Sequence, residues 1–295
     1  MYISYDHYRN FYYVAKYASF TKAAEILMNN QPNLTRSVKA LENELNCVLF
    51  IRSNQGVRLT QEGEKLYEHI SVAFEHIRQA EEELSLGLNL KKGTVSIGTS
   101  EIALRCFLLP ILSEFHSLYP GIHIKLTNQS TSQAISALKN GLVDFAVVTT
   151  PLEVPNNLFV EKVKDFQEIA VCGSAFGFLS QEKQITLNQL NRYPLISLGS
   201  QTNSYGFFSQ LFAQKSIRFA PDIEVATADQ ILPLVKHNLG IGFIPEDFLT
   251  DSNSDSVYKL DLSETIPARS VCIVTQNGHT LNSAAKALKK MIIRT

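Results

Sequence analysis

The sequence predicts a chain of two unlike halves. An N-terminal all-α winged helix-turn-helix comes first, then one long helix, then an α/β half. Three observations carry this. Leu34, Val38, Leu41 and Leu45 recur at helical spacing just after a Pro-started turn. Leu66, Ile70, Ala73, Ile77, Ala80 and Leu84 repeat at alternating steps of four and three. From Thr94 onward, short β-type runs alternate with helical stretches.

The 295 residues suffice for two or more domains with a sizeable core. A formal net charge of -1 argues against a globally basic nucleic-acid binder. Residues 1–62 carry seven basic and five acidic side chains, an excess of only +2. Phosphate binding there has to come from local placement, not from a broad basic field. Cys47, Cys106, Cys172 and Cys272 lie far apart without C-x-x-C spacing, which predicts reduced, structural thiols. A redox pair would need basic surroundings that the neighbouring sequence lacks. With no charged-then-apolar leader and no apolar run of spanning length, the expectation is a soluble, cytoplasmic protein with no membrane partner.

Asp6 to Tyr17 reads as the first helix, offering Tyr8, Phe11, Tyr12 and Ala15 for packing. Ser19-Phe20-Thr21 then starts a helix whose Ala23 and Ala24 permit close crossing, and Met28-Asn29-Asn30 breaks it. The next helix begins at Gln31, with Asn30 as its cap and Pro32 in its first turn. Two helices joined by so short a turn match the helix-turn-helix unit. Opposite its apolar face the second helix carries Gln31, Pro32, Thr35, Arg36 and Lys39, near its N-terminus. Arg reads guanine bidentately, Gln reads adenine, and Thr meets a thymine methyl or a phosphate. An ordinary amphipathic surface helix is the bland alternative. Asn46 sits where a left-handed cap is wanted. Leu49–Arg52 and Val57–Thr60 then flank a turn at Ser53–Gly56, a two-stranded wing. Arg52 and Arg58 on it are placed to reach phosphates or a minor groove, or else are two solvated arginines.

These residues form a pattern: Phe11, Val14, Ala18-Ser19-Phe20-Thr21, Ala23-Ala24, Leu27, Gln31-Pro32, Leu34-Thr35-Arg36, Leu41-Glu42, Leu45, Leu49-Phe50, Arg52, Leu59-Thr60 and Glu62-Gly63. It resembles the LysR-type transcriptional regulators, densely and in order over about sixty residues. Thr35 stands where that family usually has Ser, Asn33 where it often has Ala, and Asn46 where Gly is usual. The first two lie on or near the reading surface and bear on which operator is read. The resemblance implies DNA contacts from Thr21, Gln31, Pro32, Asn33, Thr35, Arg36, Lys39, Arg52 and Arg58.

Thr60 caps the long helix, and Glu62 and Glu64 in its first turn favour the helix dipole. Its heptad seam, Leu66, Ile70, Ala73, Ile77, Ala80 and Leu84, predicts a helix–helix dimer contact, with packing on its own domain as the alternative. His69 and His76, one heptad apart, are too distant to share a metal ion. The resemblance implies a linker helix that pairs two DNA-binding domains within a homodimer or homotetramer.

In the α/β half, strands are predicted at Val95–Thr99, His123–Thr127, Asp144–Val148, Ile169–Cys172, Leu195–Ser197, Ile223–Val225, Gly242–Ile244 and Val271–Val274, in largely parallel sheets. Helices fall near Ala103–Leu118, Ser132–Lys139, Phe207–Gln214, Ala228–His237 and Ser283–Ile293. Phe107-Leu108-Leu109-Pro110, Gly141-Leu142-Val143-Asp144 and Leu239–Pro245 look like the LysR effector domain. That likeness implies two periplasmic-binding-protein-like subdomains with a cleft between them. The expected division is 1–62 for DNA binding, 63–90 for the linker and 91–295 for the effector domain. Subdomain I takes about 91–165 and 267–295, and subdomain II about 166–266, the last strand and helix returning to the first.

Ligands of open α/β sheets bind beyond the C-terminal strand ends, at helix N-termini. Ser100, Thr131, Thr149, Thr150, the Ser200–Ser204 stretch and Thr227 stand at such junctions. Each is open to an ordinary capping role worth about 1 kcal/mol. Thr227, which forms a capping box with Gln230, is read that way. The resemblance places effector contacts at Ser100 and in the Ser200–Thr202 loop, and Ser100, Thr131, Thr149, Ser200, Gln201 and Thr202 make up the expected effector set. Hydroxyls and free backbone N–H groups suit a carboxylate or another polar metabolite. These loops hold no Arg or Lys, which disfavours a phosphate; Arg105, one turn into the helix after Ser100, is the only nearby cation, with a solvent-facing position as the alternative.

The expected function is a bacterial transcriptional regulator whose binding to double-stranded promoter DNA is modulated by a small-molecule effector, with neither cofactor nor metal. An activator would also engage RNA polymerase. An enzyme using Cys106 or Ser100 lacks a positioned base, His116 being about ten residues along the same helix. No G-x-S-x-G, H-E-x-x-H or phosphate-binding glycine loop occurs in the sequence. A transport-type solute-binding protein would carry an export signal in place of the N-terminal unit.

Overall fold

The computed structural model describes residues 3–53, 56–85, 92–155, 157–249, 256–277 and 281–294, the side chains of 52, 53, 56, 76 and 78–85 excepted. The chain divides into two units, Met1–Ser85 and Leu86–Thr295.

In the first unit α1 (Tyr5–Tyr17), α2 (Phe20–Ile26) and α3 (Gln31–Leu45) precede a hairpin of β1 (Phe50–Ser53) and β2 (Gly56–Leu59), then α4 (Gln61–Ser85). Side-chain caps start the helices: Ser19 Oγ accepts from the Lys22 N–H, and Asn30 Oδ1 from the Asn33 N–H at 2.9 Å. α3 stops at Asn46, whose φ of 53° is left-handed and lets the Cys47 N–H close back on the Glu42 carbonyl. Phe11, Val14, Phe20, Ala23, Leu34, Val38, Leu41 and Phe50 fill one core. The Glu42 carboxylate accepts from the Leu49 and Phe50 N–H groups, fixing the hairpin to α3. Gly63, in the first turn of α4, lies so close that a Cβ would stand 2.2 Å from the Leu49 carbonyl oxygen.

The heptad seam on α4 divides. Leu66 and Ile70 pack against the core of their own unit. Ala73 and Ile77 are exposed. Ala80 and Leu84 have side chains outside the described residues. Tyr12 stacks on Phe74 with centroids 4.8 Å apart, holding α1 along α4.

The second unit runs β3 (Gly93–Thr99), α5 (Glu101–Ala103), a π segment Leu104–Leu108, α6 (Leu109–Leu118), β4 (Ile122–Asn128), α7 (Thr131–Lys139), β5 (Phe145–Thr149) and β6 (Leu158–Phe166). It continues with β7 (Glu168–Gly173), α8 (Leu187–Leu190), β8 (Leu195–Leu198), α9 (Asn203–Ala213), β9 (Ile223–Val225), α10 (Ile231–Lys236), β10 (Ile241–Pro245), β11 (Val257–Lys259), β12 (Arg269–Gln276) and α11 (Ser283–Arg294). Two five-stranded sheets result, ordered β4-β3-β5-β12-β6 and β11-β7-β10-β8-β9. The chain passes from the first sheet to the second at Gln167, and returns before Arg269 so that β12 lies between β5 and β6.

The sheets are mixed, not largely parallel. β3 pairs in parallel with β4 and β5, and β8 with β9 and β10. β12 is antiparallel to β5 and β6, and β7 to β10 and β11. One strand runs against the rest of each sheet: β12 in the first and β7 in the second, each next to a crossing. Neither β6 nor β11 is predicted from sequence. β6 alternates apolar residues with Glu161, Lys162, Lys164 and Asp165, as suits an edge strand.

The helix expected at Ala103–Leu118 widens to a π turn at its start. Pro110 explains this: it has no N–H for the carbonyl of Cys106, four residues back, and its ring crowds that oxygen. The freed Cys106 carbonyl accepts from Lys164 Nζ at 2.9 Å, and the same ammonium pairs with Asp247 at 2.9 Å.

Candidate functional sites

The reading face of α3 is built from helix phase. Gln31, Pro32, Thr35, Arg36 and Lys39, with Ala40 and Asn43, line one open groove, while Leu34, Val38 and Leu41 are buried opposite. Gln31, Pro32, Arg36 and Lys39 are exposed and Thr35 is half-buried. Thr21 Oγ1 donates to Gln31 Oε1 at 3.4 Å, linking α2 to the start of α3. Asn33 is exposed, but its side chain turns to Asn29 Oδ1 at 3.3 Å, away from that groove. Arg58 is exposed on β2. Arg52 sits on β1, with its side chain outside the described residues.

In the second unit a cavity of about 390 Å³ opens between the two sheets' helix starts. From the first subdomain it is lined by Ser100 and Glu101 after β3, Asn128–Thr131 between β4 and α7, and Thr149 at the end of β5. From the second come Leu198, Gln201–Ser204 before and into α9, and Ala226–Ala228 after β9. All of these junctions follow strands that pair in parallel, so their loops gather at the carboxyl ends.

Five of the six expected effector residues meet here: Ser100, Thr131, Thr149, Gln201 and Thr202. Ser200 does not line the cavity; it is exposed, and its N–H donates to Glu224 Oε2 at 3.4 Å. Ser100 Oγ accepts from the Ala103 N–H and Thr202 Oγ1 from the Tyr205 N–H, so both are caps as well as wall. Ser130, not Thr131, caps α7, in a reciprocal box with Gln133. Thr227 is read from sequence as a cap alone, yet it also lines the cavity; Gln230 Oε1 accepts from its N–H at 3.4 Å. Glu101, Asn128, Gln129 and Ser204 also line it. Their signal in the sequence is adjacency to Ser100, to the end of the predicted strand before Thr131, and to Thr202.

The nearest buried cation is not Arg105, whose guanidinium lies over the Phe248 ring at 4.4 Å. It is Arg269, 1% exposed, at the start of β12. Its Nη1 donates to Glu168 Oε1 at 2.5 Å and its Nε to the Thr150 carbonyl at 2.6 Å. Nη2 is shared between Thr149 Oγ1 at 3.2 Å and Ser204 Oγ at 3.1 Å, hydroxyls of two cavity residues from opposite subdomains. The Phe166 and Phe207 rings lie 5.4 and 5.1 Å from its guanidinium carbon. Burial pushes the Glu168 carboxyl above the usual carboxylate range, against the pull of the guanidinium.

The cysteines are free thiols. Burial, aided by Asp247 and opposed by Lys164, pushes Cys106 up to about 12. Burial takes Cys172 to about 11 and raises Cys272. Buried thiols with raised values are the inverse of a reactive thiolate. Among the described residues no group of His, Cys, Asp and Glu could hold a metal ion.

Residues 5–64 match the family described as "Bacterial regulatory helix-turn-helix protein, lysR family", and residues 89–295 match "LysR substrate binding domain". The chain belongs to the LysR family of transcriptional regulators. Similar curated members include the HTH-type regulator AlsR of Bacillus subtilis, 28% identical with 86% of this chain and 84% of AlsR covered. The activator IlvY of Haemophilus influenzae is 25% identical over 96% of this chain and 97% of its own. Among solved structures, full-length CbnR in complex with its target DNA matches with a TM-score of 0.74 at 16% identity, covering 99% of both chains. A full-length OxyR variant from Pseudomonas aeruginosa gives 0.70 at 20% identity, over 99% of this chain and 95% of that one. LysR regulators combine a DNA-binding helix-turn-helix with an effector-binding α/β domain of two subdomains, the architecture found here. Among the described residues no helix is long and apolar enough to cross a membrane.

Proposed function

We propose that this LysR regulator reads its operator with Gln31, Thr35 and Arg36, grips phosphates with Lys39 and the wing arginines, and answers to a small polar metabolite in the inter-subdomain cavity. The convergence of five separately predicted residues on one cavity of about 390 Å³ supports the effector site most directly. Thr21 supports α3 through Gln31, and Asn33 braces the turn through Asn29. The exposed Ala73 and Ile77 leave the later part of the α4 seam for a second copy, so the working form is a homodimer or homotetramer acting in the cytoplasm. If binding activates transcription, RNA polymerase is the further partner. The buried, raised thiols of Cys106 and Cys172 give no support to a catalytic role for either.

The switch is differential affinity: a ligand touching both subdomains favours the arrangement in which both walls reach it. The test is a salt-dependent gel-shift or anisotropy titration of the full chain on the DNA upstream of its own gene. Specific binding weakened by about 1–3 kcal/mol in Arg36→Ala is the expected result. Equal binding by wild type and variant overturns the reading of α3. A ligand at a hundred times its dissociation constant raises stability by about 2.7 kcal/mol, which a thermal melt resolves.

A further inference from the structure

We infer that the ligand of this cavity carries a protonated amine beside its carboxylate, an α-amino acid being the simplest such molecule. The inference rests on the effector reading of the cavity given above and narrows the chemistry it accepts.

Charge decides first. Among the described residues lining the cavity, the one charged side chain is Glu101. Arg269 lies behind the wall with Nε, Nη1 and Nη2 all engaged, and its charge is matched by Glu168. A ligand bearing only carboxylates would meet a like charge and no available cation. Like charges in a partly desolvated site cost far more than they do in water.

Hydrogen-bond supply decides next. Asn128 Nδ2 donates to Glu101 Oε2 and fixes the carboxylate, while Oε1 has no partner among the described residues. Gln129 Oε1, behind the same wall, is closed to solvent, so the acceptor open to a ligand on this side is the Glu101 carboxylate. An ammonium has three donors and no acceptor, which matches this wall.

The facing wall is of opposite character. Thr202 caps α9, and the N–H groups of Asn203 and Ser204, in the first turn, have no carbonyl within the helix to receive them. With the Ser204 hydroxyl, which accepts from Arg269 and keeps its own proton to give, they form a donor surface for a carboxylate. Acceptors on one subdomain and donors on the other complement a zwitterion, and its two ends pull the two subdomains together.

The test uses the full chain. Each of the twenty L-amino acids is compared by thermal melt with its desamino carboxylate, L-leucine with 4-methylpentanoate for example, and hits are titrated by calorimetry. Variants are Glu101→Gln, nearly isosteric, and Ala226→Phe, which places a ring in the cavity from an exposed lining position. The expected result is an amino acid that stabilises while its desamino partner does not. Its binding should weaken about 10-fold to 100-fold in Glu101→Gln and disappear in Ala226→Phe. A desamino acid that binds as well, still lost in Ala226→Phe, overturns the amine inference and leaves the effector cavity standing. A hit indifferent to both variants lies elsewhere and overturns both. No hit among the amino acids overturns the amine inference alone.

Discussion

Replacing Arg269 with methionine tests whether the two subdomains are held by the buried pair at their crossing. The substitution keeps an unbranched apolar stem between the Phe166 and Phe207 rings and removes the charge. It strands Glu168, 2% exposed, whose partner at 2.5 Å is gone. It also strands the Thr150 carbonyl, whereas the Thr149 and Ser204 hydroxyls line the cavity and can turn to water. Breaking a buried pair from one side costs about 3–5 kcal/mol. At about 2–4 °C per kcal/mol for a unit of this size, the second unit should melt roughly 6–20 °C lower. Differential scanning calorimetry of the full chain reads this directly. The double variant Arg269→Met with Glu168→Leu should recover much of the loss, because neither charge is then left buried. A single variant within about 1 kcal/mol of wild type, or a double variant worse than the sum of the singles, would refute the reasoning.

Arg36→Ala should cost about 1–3 kcal/mol of operator binding and relax preference at one base pair, measured with a set of single-substituted operators. Lys39→Ala should weaken specific and non-specific binding alike and lower the salt slope by about one. Gly63→Ala should destabilise the first unit by about 2 kcal/mol or more, since the Cβ would meet the Leu49 carbonyl at 2.2 Å; an unchanged circular-dichroism melt contradicts that approach. For the thiols, Cys47 alone should react quickly with a disulfide reagent in the native state, as Cys106, Cys172 and Cys272 are buried. With Cys106 near 12, about one part in ten thousand is thiolate at pH 8, so its labelling should rise only with unfolding.

What the sequence made legible was whatever local physics settles. α3 is announced by Asn30, Pro32 and a leucine–valine stripe, and Asn46 marks its end with a side chain that tolerates left-handed backbone. Eight short apolar runs mark eight strands at their places, because buried β-type residues between turn formers have few other uses. The cavity hydroxyls were legible from the same grammar, as Ser100, Thr131, Thr149 and Thr202 each stand at or just beyond the carboxyl end of a strand. Arg269 was not, since its meaning lies in Glu168, Thr149 and Ser204, which are 101, 120 and 65 residues away. Ser200 misled because a loop of polar residues does not reveal which of them faces inward. The mixed sheets were hidden for a similar reason: strand direction is a property of the pairing, and β6 carries the charges of an edge.

The place of β12 bears on how the protein is made. Its eight residues, Arg269–Gln276, lie between β5 and β6, strands laid down more than a hundred residues earlier. On the ribosome β6 is therefore parted from β4, β3 and β5 until β12 has emerged. The second sheet, contiguous from β7 to β11, has all its strands by Lys259, before β12 begins. The sheet begun first is thus the last to have all its strands in this half of the molecule. A stop codon just before Arg269 removes far more than a tail: it leaves β5 and β6 without the strand that joins them, and the cavity without the cation behind its wall.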